Sequence, residues 1–353
     1  MRRIDPRPQI IAMSNYHSPQ VDVPVRLNTN ESPFPPPAGW VESLGRIAAG
    51  IDWNRYPDRG AAELREEIGR RHGVPPSMVL VGNGSNEVLQ MILLAFGGDG
   101  RKVAVFEPTY QMYAQIARVT GATVVTGERR ADFTLDPAES ERVMSREKPA
   151  VTFLCNPNNP TGVIEPRENL RVLLDNATGL VVVDEAYAEF SEWSAVDMVS
   201  DGVPLVVTRT FSKTLSLAAL RVGYVIAPAE VIESLEIAAL PYHLDSFKQA
   251  ATLAALGHTD EMVARVELIK SERSRISAAL EASSCTVWPS GANFVLFRPE
   301  GRDSRVVWQG LLDRGILVRD CGSWPGLANC LRVTVGTPGE NGAFCRAMSE
   351  LTA

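Results

Sequence analysis

Thr208-Arg-Thr-Phe-Ser-Lys213, with Arg221 eight residues further on, lies downstream of Val181-Val-Val-Asp184-Glu-Ala-Tyr187. Each segment opens on an apolar run, Leu205–Val207 and Leu180–Val183, and ends in side chains that carry chemistry. The runs are continuous in Val and Leu rather than alternating with polar residues. That pattern marks strands buried on both faces, hence a mainly parallel sheet with helices on each side. Further runs of this type, Val79–Val81, Lys102–Phe106, Thr123–Val125, Val151–Cys155 and Val222–Ile226, alternate with helical segments. Gly60 to Arg71 reads as a helix with Ala61, Leu64 and Ile68 on its apolar face. Residues 229–282 read as mostly helical. Beyond them Ala292–Phe297, a helix around 304–314, Ile316–Val318 and Leu331–Val335 suit a smaller α+β unit. The predicted fold class is therefore α/β, a large domain with a mainly parallel sheet plus a smaller α+β C-terminal domain. Residues 1–40 form an irregular, proline-rich arm packing with the small domain, 41–240 the large domain and 241–353 the small one. Pro33-Phe-Pro-Pro-Pro37 in the arm cannot hold helix or inner strand.

With 353 residues the chain can bury a large core, and 45% hydrophobic and 22% charged content is ordinary for a globular enzyme. A net charge of −7 argues against nucleic acid or an anionic membrane as partner, since both require a dense basic surface. Met1-Arg-Arg-Ile leads into Asp5, Pro6 and Pro8 with no apolar core, so no signal peptide is expected. No run approaches a membrane span. The five cysteines, 155, 285, 321, 330 and 345, show no CxxC spacing, which speaks against a disulfide framework or a zinc site. The expectation is a cytoplasmic protein without a metal.

Strand carboxyl ends are where open α/β sheets bind ligands. Lys213 follows one such end among Thr, Ser and Phe, and a desolvated lysine near other cations loses its proton readily. Arg221 with the hydroxyls of Thr210 and Ser212 supplies a guanidinium fork and two donors for a phosphate. Asp184 ends the neighbouring run, while strand alternation sends Glu185 to the other face. Gly82-Asn-Gly-Ser-Asn-Glu87 follows a strand and opens a helix, where free amides favour anions. The spacing also covers two-thirds of a dinucleotide fingerprint, but Glu87 stands where its third glycine belongs. Asn156-Pro-Asn-Asn-Pro-Thr-Gly162 makes a rigid turn that presents Asn159, and Tyr110 in Glu107-Pro-Thr-Tyr110 offers a ring to stack on. An amine, a phosphate-binding cation, an acid and the phenol of Tyr187 are together what pyridoxal 5′-phosphate (PLP) requires: a Schiff-base partner, a phosphate site, a counter-charge for the pyridine nitrogen and a donor to the ring oxygen. Arg319 and Arg332, thirteen residues apart at the ends of predicted strands, suit a carboxylate or phosphate.

As an ordered set these motifs resemble the fold-type I PLP-dependent aminotransferases. Arg26-Leu-Asn-Thr-Asn-Glu-Ser-Pro33, Asn54-Arg-Tyr-Pro-Asp58, Leu317-Val-Arg-Asp320 and Leu331-Arg-Val-Thr-Val-Gly-Thr337 narrow the resemblance to the histidinol-phosphate aminotransferases, over residues 16 to 345. The resemblance implies catalytic roles for Lys213, Asp184 and Tyr187, with Asn159 and Tyr187 at the ring oxygen and Tyr110 on the ring face. It places the cofactor phosphate on the amides of Ser85 and Asn86, on Thr210, Ser212 and Arg221, and on Tyr56 of a neighbouring subunit. A homodimer with shared active sites follows. Tyr16, Asn159, Arg319 and Arg332 are implied as substrate contacts. Two positions depart from the family pattern: Ala219 replaces a usual glycine before Arg221, and Gly339 stands where an acidic residue is common.

The implied reaction is transamination of L-histidinol phosphate with 2-oxoglutarate to imidazole-acetol phosphate and glutamate, a step of histidine biosynthesis. Lys213 serves as general base and acid. An aromatic or broad-specificity aminotransferase and a threonine-phosphate decarboxylase share the scaffold. A non-catalytic PLP-binding regulator would need a fused basic DNA-binding domain.

Overall fold

The computed structural model describes residues 4–11, 13 and 20–352. In chain order the elements are α1 (Pro8–Ile11), β1 (Val25–Leu27), α2 (Ala38–Ala49), α3 (Ala62–His72), β2 (Val79–Gly82), α4 (Ser85–Phe96), β3 (Lys102–Glu107), α5 (Met112–Thr120) and β4 (Thr123–Glu128). They continue with α6 (Pro137–Glu147), β5 (Val151–Cys155), α7 (Arg167–Asp175), β6 (Leu180–Asp184), β7 (Leu205–Thr210), β8 (Gly223–Ile226) and α8 (Ala229–Ala238). The C-terminal part holds α9 (Ser246–Leu256), α10 (Thr259–Ala282), β9 (Cys285–Val287), β10 (Phe294–Pro299), α11 (Ser304–Asp313), β11 (Ile316–Asp320), β12 (Leu331–Thr334) and α12 (Pro338–Thr352).

Seven strands form a sheet in the order β2-β8-β7-β6-β5-β3-β4. β8 runs antiparallel to both neighbours, and the pairs β7-β6, β6-β5, β5-β3 and β3-β4 are parallel. Every residue of β2, β5, β6 and β8 is buried, as their unbroken apolar runs require. Successive residues feed opposite cores. Val181, Val183, Leu205 and Val207 face one, Val182, Val206 and Val225 the other. Strands β3 and β5 leave the sheet in opposite directions, toward β4 and toward β6, so the crevice at their carboxyl ends is a topological switch point.

The second sheet, β1-β11-β12-β10-β9, covers a core built with α10, α11 and α12. The proline-rich arm is less irregular than its composition suggests, for it contains α1 and β1. β1 pairs in parallel with β11 at the sheet edge, where the missing donor of Pro24 interrupts no ladder, and it brings the following Asn28–Asn30 to the centre of the molecule. By packing, the C-terminal core starts later than residue 241, because α9 presents Ala251 and Ala255 to the core of the larger sheet. The Trp40 indole on α2 donates to Ala251 O at 2.7 Å. The C-terminal core takes up the chain at Val266 on α10.

Beneath the turn after β5, Arg129 and Glu165 form a fully buried ion pair. Glu165 also accepts from Leu135 N at 3.1 Å and Asn169 Nδ2 at 3.0 Å, and Arg129 Nε donates to Phe106 O at 3.0 Å. Removing one partner leaves the other charge buried without its counter-ion. Glu165→Ala is therefore expected to cost about 3–5 kcal/mol in urea unfolding. A loss below about 1 kcal/mol would show that the pair does not hold this turn.

Candidate active site

The carboxyl ends of β3, β5, β6 and β7 open onto a cavity. Its far wall is β11 and β12 of the second sheet, and the segment after β1 closes one side. Ser85, Asn86, Tyr110, Asn159, Asp184 and Tyr187 line it, as do Thr210, Ser212, Lys213, Arg221, Arg319 and Arg332. Of the residues expected there, Tyr56 lies elsewhere in this chain. It is 81% exposed and stacks on Tyr242 with ring centroids 4.6 Å apart. Tyr16 lies outside the described residues.

Lys213 stands on the cavity floor just past β7, and its Nζ donates to Thr29 O at 3.2 Å. Burial, and next the charge of Arg332, lower its pKa from 10.5 to about 8. Asp184 closes β6, is 3% exposed and lies in register with Cys155 and Thr208. Burial raises its carboxyl to about 6, against the opposing pull of its hydrogen bonds. Tyr113 OH donates to its Oδ2 at 2.8 Å and Ala186 N to its Oδ1 at 3.2 Å. Glu185 points to the opposite face, as strand alternation requires, and receives Arg209 Nε at 3.0 Å and Nη2 at 2.6 Å.

The Tyr187 hydroxyl accepts from Asn30 Nδ2 at 2.9 Å, and burial pushes its pKa up. Arg332 reaches the same region. Its Nη1 donates to Asn159 Oδ1 at 2.5 Å and its Nη2 to Asn28 O at 3.0 Å. Arg319 and Arg332 are direct partners across the β11-β12 pair, and both are at least nine-tenths buried. Arg319 also lies over the Trp324 ring, 5.6 Å from its centroid. Two guanidinium groups are thus held side by side facing the cavity.

A cradle of hydrogen-bond donors sits at the start of α4. The first amides of any helix lack intrahelical acceptors and point outward. Arg221 Nη1 donates to Ser212 Oγ at 3.2 Å, and Thr210 Oγ1 donates to the same oxygen at 3.0 Å. Gly84, with φ +80°, lies flat against Arg221: a Cβ there would stand 2.6 Å from Nη2. A Cβ at Gly223 would stand 2.5 Å from Ser85 N. The backbone is therefore shaped for close approach to a small anion. Ala219 lies outside the left-handed region, so its methyl carries no backbone strain. The amine, the buried acid, the phenol and this cradle match the donor set that PLP needs, and the residues fit that group.

The residue-by-residue reading gave no role to Tyr113, Cys155, Trp324 or the Asn28–Asn30 segment, all of which meet at this site. For Tyr113 a signal was present, three residues after Tyr110 at the start of α5. For Asn30 and Trp324 nothing local distinguishes them from turn residues.

Residues 22–348 match the family model described as aminotransferase class I and II. A histidinol-phosphate aminotransferase of Frankia casuarinae is 46% identical over 98% of this chain and 89% of its own length. That of Streptomyces avermitilis is 45% identical over 98% and 96%. The crystal structure of histidinol-phosphate aminotransferase from Sinorhizobium meliloti in complex with pyridoxal-5′-phosphate superposes with a TM-score of 0.90 at 24% identity, covering 98% of this chain and 97% of that one. With a full-length family match and relatives this close, the chain belongs to the aminotransferase class I and II family, in its histidinol-phosphate aminotransferase branch.

Proposed function

We propose that this enzyme uses PLP to move the amino group of L-histidinol phosphate to 2-oxoglutarate, giving imidazole-acetol phosphate and glutamate, a step of histidine biosynthesis. The observation that carries the reading is the paired Arg319 and Arg332 facing Lys213 across one cavity. A donor bearing a phosphate and an acceptor bearing a carboxylate must use the same place in turn. Guanidinium forks bind both anions bidentately, which an ammonium does not do.

The chemistry PLP supplies when bound is an electron sink for the α-carbon of the amino donor. Lys213 Nζ takes the proton from that carbon. Its lowered pKa brings the free amine within reach near neutral pH, where an unshifted lysine is almost wholly protonated, as a general base requires. Asp184 sits where a negative charge holds a proton on a pyridine nitrogen. Ser85, Asn86, Thr210, Ser212 and Arg221 would hold the cofactor phosphate. Asn159 and Tyr187 would hold the ring oxygen, and Tyr110 would cover the ring.

The assembly is a homodimer with shared sites. Tyr56 and Tyr242 stack on the surface, Trp53, Ile237 and Leu240 close to them in sequence are exposed as well, and Tyr56 would enter the partner's cavity. Exposed large apolar side chains of this kind mark an interaction surface. The five free cysteines support the cytoplasm as its location. Among the described residues no helix is long and apolar enough to cross a membrane.

Single-turnover absorbance on cofactor-loaded protein tests the substrate. L-Histidinol phosphate is expected to convert the bound cofactor rapidly to its amine form, with L-phenylalanine and O-phospho-L-threonine far slower. A preference for phenylalanine, or carbon dioxide release from phosphothreonine, would overturn the substrate and leave fold and cofactor standing. Protein that takes up no PLP would overturn the cofactor as well.

A further inference from the structure

Asp184 is the buried acid of the site, yet nothing on its own strand fixes which way its carboxylate faces. Two donors do so. Ala186 N holds Oδ1 from two residues away, a bond that any aspartate at the end of a strand can make. The Tyr113 hydroxyl holds Oδ2 at 2.8 Å from across the switch point, 71 residues distant in sequence. Asp184 itself lines the cavity.

Tyr113 is itself immobilised. It is fully buried at the start of α5, stacked on Phe153 of β5 with centroids 4.6 Å apart and planes 5° from parallel. Tyr110, which lines the cavity, meets its ring edge-on at 5.3 Å. One aromatic step thus joins the ring at the cavity surface to the hydroxyl beneath it. Of the other groups around Asp184, the Thr208 hydroxyl also favours its charged form from the next strand, and two are poor rivals for this role. Burial pushes the Cys155 thiol up to about 12, so it stays neutral, and Glu185 is committed to Arg209.

Desolvation alone drives a buried carboxyl toward its neutral form, which would leave a ring nitrogen without its counter-charge. A phenol donating to the carboxylate opposes this, because a hydrogen bond to the charged form favours that form. The raised pKa of Asp184, about 6 and hence still below neutrality, is consistent with that balance.

We propose that Tyr113 is a positioning residue that keeps Asp184 ionised and aimed at the ring nitrogen of the cofactor, an inference that rests on the PLP reading above. Tyr113 does not touch cofactor or substrate; it acts through Asp184.

The test is cofactor affinity rather than turnover. Tyr113→Phe keeps the stack on Phe153 and removes only the hydroxyl, so the fold is retained. Stripped wild-type and variant proteins are titrated with PLP and with its 1-deaza analogue, in which C–H replaces the ring nitrogen. Loss of one hydrogen bond to a charged group should weaken PLP binding by about tenfold. The analogue, which gives Asp184 nothing to grip, should bind both proteins within about twofold. In an Asp184→Asn background Tyr113→Phe should add no more than about twofold, since coupled residues are non-additive. Equal weakening of PLP and analogue would make Tyr113 a merely structural residue and overturn the proposal. Unchanged PLP affinity would overturn it too. Wild-type protein that fails to bind PLP would sink the cofactor reading instead, a distinct result.

Discussion

Lys213→Ala should abolish turnover, by about 10⁴-fold or more, the scale on which general acid–base and covalent amine chemistry act together. Among the described residues no other amine is placed to take over: the cations that line the cavity besides Lys213 are Arg221, Arg319 and Arg332, and guanidinium groups do not deprotonate in proteins. The variant should nevertheless fold. Its lost contacts are one hydrogen bond to Thr29 O and a cation 5.9 Å from the Tyr187 ring centroid. Removing the lysine relieves repulsion from Arg332 and Arg221 and gives up an attraction to Glu31. The pH dependence follows from the lowered pKa. Between about 8 and the ordinary 10.5 the unfolded chain holds a proton on Lys213 that the folded chain has released. Wild-type stability therefore gains from rising pH across that window. Relative to wild type, the cofactor-free variant should be at its most stable below pH 8, with the advantage gone above about 10.5. Chemical denaturation across pH, beside steady-state assays, measures both. Residual turnover above a hundredth of wild type would remove Lys213 from its role.

Asp184→Asn should move activity and stability in opposite directions. Turnover should fall on the order of 10³-fold, as when one preorganised charge is removed from a reacting centre. Stability of the cofactor-free protein should rise at pH 7. Burial lifts the Asp184 pKa from 3.8 to about 6, so between those values the folded chain holds a proton that the unfolded chain has lost. Wild-type stability consequently falls as pH rises through this window and stays lowered above it. Two pKa units correspond to roughly 3 kcal/mol, the upper bound of the gain expected for asparagine at pH 7. Below pH 3.8 the gain should vanish. Turnover within tenfold of wild type, or a variant less stable at pH 7, would contradict this account. A site that holds an unfavourable buried charge when empty trades stability for function.

The seven strands of the large sheet and the placement of Asp184 and Lys213 at strand ends were legible in the sequence, because most of these strands are buried on both faces and leave unbroken apolar runs. The short strands β1 and β9 were not, since three residues carry no readable period. β1 exists because β11 offers it an edge, and α9 joins the larger core because α2 and α3 offer its alanine face a partner.

By itself the sequence determined the order of elements and the chemical inventory: an amine, an acid, a phenol and a phosphate arginine at successive turns beyond strands. These are local properties of short segments. Only the tertiary structure decided how the inventory is wired. It set Arg319 opposite Arg332, brought Asn30 to Tyr187 across 157 residues and Thr334 to Asn30 across 304, and laid Tyr113 beneath Asp184. Such contacts depend on strand register and on the packing of one sheet against the other, and no local periodicity encodes either.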